Sequence, residues 1–155
     1  MARSDIATAL DRAEAACAAR GANLTELRRA VLGLILEARQ PVGAYALLDR
    51  LKESRAGAAP PTVYRALDFL VEQGLVHKVE RLNAFVACGA AHDHEGHAHP
   101  AQLLVCSTCH AVTELDDHAV AHAIARAAGA AGFRPARATV EVEGTCARCA
   151  RRQAA

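Results

Sequence analysis

Cys106 and Cys109 stand in the stretch CSTC, and Cys146 and Cys149 in CARC. Zinc takes four thiolates tetrahedrally, and a two-residue gap lets both sulfurs of a knuckle reach one ion. Two such pairs predict a single four-thiolate site of the structural kind. The 36 residues between Cys109 and Cys146 exceed the roughly 15–20 of a simple zinc ribbon. The ion is therefore expected to tie together two ends of a larger subdomain. Two thioredoxin-like redox motifs, or reduced bystanders, are the alternatives. A redox pair would open a helix, and neither knuckle is expected to do so.

A second group of potential ligands is dispersed. It comprises His77, Cys88, Glu114 and the stretch AHDHEGHAHP, in which His92, His94, His97 and His99 fall within ten residues. The HEGHAH portion is out of register for a metalloprotease H-E-x-x-H, because the position four after His94 is Ala98. A zinc deaminase needs P-C-x-x-C, and Val105 precedes Cys106. Hydrolase or deaminase chemistry is accordingly not expected. His118 and His122, four apart on one helix, are read as solvated surface, and Cys17 as a packed small side chain.

A third signal is PPTVYRALDFLVEQG. Val63, Ala66, Leu67 and Leu70 recur at helical spacing. This leaves Thr62, Tyr64, Arg65 and Asp68 on or beside the exposed side of the first turns. Proline at a helix start fixes φ and forfeits only an N–H that lacks an intrahelical partner. A short helix ending at Gly74, followed by a hairpin carrying His77, Lys78 and Arg81, is the order of a winged helix-turn-helix. There the helix N-terminus enters the major groove. Arg65 would read a base edge, and Tyr64 would touch a phosphate or a thymine methyl. An ordinary amphipathic helix is the plainer alternative.

The elements that must position these groups follow from pattern. Helices are predicted over residues 4–20, 25–39, 44–53 and from Pro60 to Gly74. A hairpin is predicted over residues 75–80 and 83–88. Strands at residues 103–106 and 111–115, a helix over about 117–131 and a strand at 138–144 complete the chain. The fold class is α+β, in two small units joined near residues 85–98.

Of the 155 residues, 52% are hydrophobic but only 3% aromatic, which suits Ala-rich helices with modest cores. The net charge of +1 does not point to nucleic acid by itself. The acidic start MARSDIATALDRAE predicts no secretory signal. The run Val31–Leu36 is far short of the ~20 residues of a membrane span. A cytoplasmic, membrane-free chain with metal-bound rather than disulfide-bonded cysteines is expected.

Taken together, LTELRRAVL (Leu24–Leu32), PPTVYRALDFLVEQGLVHKVE (Pro60–Glu80), the hairpin ending in Cys88, the His-rich segment and both knuckles resemble the ferric uptake regulator superfamily, and within it the zinc uptake regulator branch. The resemblance covers almost the whole chain. It implies a winged-helix DNA-binding domain (residues 1–84), a wing end and hinge (85–98) and a dimerisation and zinc-binding domain (99–155). It also implies a homodimeric repressor that binds a palindromic operator when loaded with zinc. Residue by residue, Cys106, Cys109, Cys146 and Cys149 match the structural site, and His77, Cys88, His99 and Glu114 match the regulatory site, giving two Zn²⁺ per monomer. His97 is the fallback for His99 should the inserted-looking EGHAH shift the register. Thr62, Tyr64 and Arg65 match DNA-reading positions, and Arg28 a backbone contact. An iron- or peroxide-sensing relative is the alternative within the family. Cys88 argues for zinc, because two imidazoles, a thiolate and a carboxylate suit a four-coordinate ion.

Overall fold

A computed structural model of the chain describes residues 3–38, 40–89 and 101–153. The chain forms two compact units, Met1–His97 and Ala98–Ala155. The fold is α+β.

The N-terminal unit holds α1 (Arg3–Ala19), α2 (Glu26–Glu37), α3 (Ala44–Ser54), α4 (Pro60–Glu72), β1 (Val76–Val79) and β2 (Ala84–Ala87). Thr25 caps α2, its hydroxyl accepting the Arg28 N–H at 3.5 Å. Pro60 and Pro61 occupy the first turn of α4, where they cost no helical hydrogen bond. Gly74 ends that helix at φ +69, a left-handed conformation that releases the chain into β1. The core gathers Val31, Leu32 and Ile35 of α2, Leu47, Leu48 and Leu51 of α3, and Val63, Leu67 and Leu70 of α4. Each set comes from one stripe of its helix, so three amphipathic helices close on one another. Arg29 of α2 pairs with Asp11 and Glu14 of α1 and ties that helix to the bundle.

β1 and β2 pair antiparallel, with His77 opposite Val86. A one-turn 3-10 helix (Glu80–Leu82) and the left-handed Asn83 (φ 45) join them. Val42 bridges Phe85 through two backbone hydrogen bonds of 3.0 and 2.9 Å, which anchors the hairpin to the loop before α3.

The C-terminal unit holds β3 (Ala101–Cys106), β4 (Val112–Leu115), α5 (His118–Ala130), β5 (Thr139–Gly144) and α6 (Ala147–Gln153). The strand order is β4-β3-β5, with β4 antiparallel and β5 parallel to β3. Asp117 caps α5, accepting the Ala119 N–H at 2.7 Å. Among the described residues of this unit the buried apolar side chains are few: Ala101, Leu103, Val105, Cys106 and Cys149. Helix α5 buries none of its residues, and Leu104, Leu115, Phe133 and Val142 remain exposed. No helix among the described residues is long and apolar enough to cross a membrane.

Candidate functional site

The four knuckle cysteines converge. Cys106 ends β3, and its N–H donates to Ala111 O at 2.9 Å while His110 N–H returns to Cys106 O at 2.9 Å. His110 takes φ 57 to close this turn. Because β5 runs parallel to β3 with Gly144 in register with Cys106, the second knuckle emerges beside the first. The Ser107 N–H and hydroxyl both donate to Gly144 O, at 2.8 and 3.2 Å, and lock that alignment. Antiparallel β4 stays next to β3, whereas β5 reaches the far edge of β3 only through α5. This crossover is what the long segment between the knuckles accomplishes.

All four Sγ atoms lie within 4.8 Å of one another. Cys109 Sγ and Cys146 Sγ are 3.7 Å apart, far beyond the ~2.05 Å of a disulfide. Tetrahedral zinc with Zn–S of ~2.3 Å requires sulfurs about 3.8 Å apart. The sulfur spacing therefore fits zinc. Cys106 and Cys149 are buried, and Cys109 and Cys146 half-exposed.

The local electrostatics favour thiolate at one side of the cluster. The Cys106 thiol is drawn down to about 5, chiefly by the Cys146 N–H that donates to its sulfur at 3.4 Å, and then by the Cys109 N–H. Cys109 is also lowered, by the Ala111 N–H and then by the Arg148 guanidinium, whose Nη2 lies 3.5 Å from Cys109 Sγ. Cys149 is pushed up to about 12, because its hydrogen is shared with Cys109 and its surroundings are dry.

The expectation that neither knuckle opens a helix fails for the second, since α6 begins inside it at Ala147. The seven residues ARCARRQ were too short and too cationic to register as an amphipathic helix. The opening of a helix alone would fit a redox pair. Convergence of both pairs on one point instead fits a shared ion.

In the N-terminal unit His77 lies on β1 and Cys88 just beyond β2. Opposite Val86, His77 has Cys88 as its diagonal neighbour on the same face of the ladder. The Cys88 N–H donates to Leu75 O at 3.0 Å. Both residues are buried, and their ligand atoms lie within 4.8 Å of each other. Glu114 belongs to the C-terminal unit, half-buried on β4 opposite Leu103. His92, His94, His97 and His99 fall outside the described residues. His118 and His122 are exposed on α5.

On α4, Val63, Ala66, Leu67 and Leu70 are buried, while Tyr64 and Arg65 are exposed and Thr62 is half-buried. Arg28 is half-buried on α2. Its guanidinium sits 3.6 Å from the centroid of the Phe69 ring on α4, and Nη1 donates to Asn23 O at 2.6 Å. Tyr45 on α3, 67% exposed, lies outside the residues singled out from sequence. Its signal was available: it falls off the Ala44, Leu47, Leu48 and Leu51 stripe that packs α3 into the core.

Residues 19–143 match the family model described as the ferric uptake regulator family. The chain belongs to the ferric uptake regulator family. Among its relatives, the zinc uptake regulation protein of Escherichia coli (strain K12) is 41% identical over 140 residues, spanning 90% of this chain and 80% of that protein. The structure of a zinc uptake regulator complexed with zinc and DNA superposes with a TM-score of 0.89 at 39% identity, over 97% of this chain and 98% of that one. The crystal structure of holo XcZur matches with a TM-score of 0.82 at 46% identity, over 92% and 96% of the two chains. Within the family, the resemblance is thus to zinc uptake regulators.

Proposed function

We propose that this family member is a zinc-responsive transcriptional regulator, a repressor that binds palindromic operator DNA as a homodimer when zinc-loaded and controls zinc-uptake genes. The observation that carries this reading is the 39% identity, over nearly the whole chain, to a zinc uptake regulator complexed with zinc and DNA. The relatives named above favour zinc over the iron- or peroxide-sensing alternative, and the buried thiolate donor Cys88 beside His77 favours it on chemical grounds. The role is regulatory rather than catalytic, and the location cytoplasmic.

Two Zn²⁺ per monomer are assigned. Cys106, Cys109, Cys146 and Cys149 hold the structural ion. His77 and Cys88, with Glu114 and His99 (or His97), hold the regulatory one. Zinc held by these residues would supply a positive centre that imidazole, thiolate and carboxylate donors could share. In the DNA-binding unit, α4 presents Arg65 to base edges, with Tyr64 and Thr62 beside it. Operator half-sites on B-DNA lie ~34 Å apart, one helical turn. Ligands contributed by both units let metal occupancy select the dimer conformer whose two α4 helices match that spacing. Exposed Leu104, Leu115, Phe133 and Val142 provide apolar surface for a second copy.

The test is a titration of zinc into protein loaded only at the four-cysteine site, with operator affinity read by fluorescence anisotropy. The proposal requires affinity to rise on filling the second site, and His77→Ala and Cys88→Ser to abolish the rise. Unchanged affinity across the titration would refute it.

A further inference from the structure

Four thiolates around one divalent ion leave roughly two negative charges in excess, and such charge is retained by donors in the surroundings. Backbone N–H groups of Cys146, Cys109 and Thr108 serve Cys106. The half-exposed side of the cluster, where Cys109 and Cys146 meet water, has a different partner. Arg148 stands inside the second knuckle, one residue before Cys149. It turns Nη2 back to Cys109 Sγ at 3.5 Å. A guanidinium keeps its charge at all accessible pH and donates from a planar fork, and a hydrogen bond between ions is about twice as strong as a neutral one.

We propose that Arg148 is a positioning residue of the four-cysteine site, holding Cys109 in its ligating position and shielding the exposed edge through which a proton or a competing chelator reaches the sulfurs. The inference rests on the reading that these cysteines hold zinc. Arg148 thus governs how long the ion stays rather than whether the site forms. Arg151 and Arg152, in the last turn of α6, carry the same charge without that sulfur contact and serve as internal controls.

The experiment uses full-length protein from which exchangeable zinc has first been removed by a mild chelator. Release of the remaining ion to a strong chelator is followed with a colorimetric zinc indicator. Arg148→Met is expected to release zinc about tenfold faster than wild type, within the 10–100-fold range for losing a metal site's supporting hydrogen bond. Arg148→Lys should fall between, and Arg152→Met should match wild type. With Co²⁺ in place of zinc, Arg148→Met should shift the thiolate-to-cobalt charge-transfer band to longer wavelength, since an unbonded thiolate gives up its electron more easily. Should Arg148→Met not fold, the Arg148→Lys release rate and band position decide the matter. Wild-type release and an unshifted band in the Arg148 variants overturn the proposal while leaving the zinc site intact. Wild-type protein that retains no zinc dependent on Cys109 overturns the zinc reading and this proposal with it.

Discussion

Replacing Cys149 by serine should unfold the C-terminal unit and leave the N-terminal unit folded. Outside the cysteines, the buried apolar side chains among that unit's described residues are Ala101, Leu103 and Val105. Fully burying a Val or Leu side chain contributes about 1.5–3 kcal/mol, so Leu103 and Val105 together supply about 3–6 kcal/mol. A structural zinc ion contributes an apparent ~10–16 kcal/mol at neutral pH, the larger quantity by about two- to fivefold. Its loss leaves a three-stranded sheet with one long helix that buries none of its residues. The N-terminal unit has a core drawn from all four helices and the hairpin and owes nothing to those cysteines. Hydrogen–deuterium exchange with peptide-level mass spectrometry on full-length protein separates the two. In the zinc-free Cys149→Ser chain, the amides of β3 (Ala101–Cys106) and β5 (Thr139–Gly144) should lose their protection. Those of α2 and α4 should exchange as in wild type. Slow exchange in β3 and β5 of the zinc-free variant would refute the claim that the ion, rather than the sheet packing, holds this unit together.

Two arginines separate reading DNA from building the reader. Arg65→Ala should cost about 1–3 kcal/mol of operator discrimination with an unchanged melting temperature, whereas Arg28→Ala should remove a cation–π contact of roughly 0.5–2 kcal/mol and lower thermal stability. An unmoved melting temperature together with a shallower salt dependence of binding would make Arg28 a phosphate contact instead. Cys17 is buried in the N-terminal core, and burial raises its thiol above the ordinary 9.0. A raised acid is stabilised in its protonated form, so this contribution is complete below pH 9 and is lost as pH rises through the raised value. Native protein at pH 8 should therefore leave Cys17 unmodified by iodoacetamide, and labelling there without unfolding would contradict its burial.

Much of the architecture was legible because it is encoded over short stretches. The stripe Val63, Ala66, Leu67 and Leu70 completes itself within two helical turns, and each Cys-x-x-Cys declares a metal preference within four residues. Local patterns of this kind foretold α4, its exposed Tyr64 and Arg65, the α+β order and the family. Other features were not legible, since they depend on residues distant in the chain. Only the parallel register of β5 on β3 brings Cys146 to Cys106. Only the antiparallel ladder makes Cys88 the diagonal neighbour of His77. Helix α6 escaped notice because seven mostly polar residues carry no apolar period; it is held by Cys149 at its buried side. Arg28 presents the same chemistry to a sequence reader as any surface arginine. Packing of α2 on α4 places the Phe69 ring beneath its guanidinium. Arg148 likewise gains its meaning from Cys109, 39 positions earlier. Spacing along the chain can specify which atoms are able to bind a metal or a base, because that is local chemistry. Which of them meet is settled by strand register and helix packing, where one buried face is matched against another.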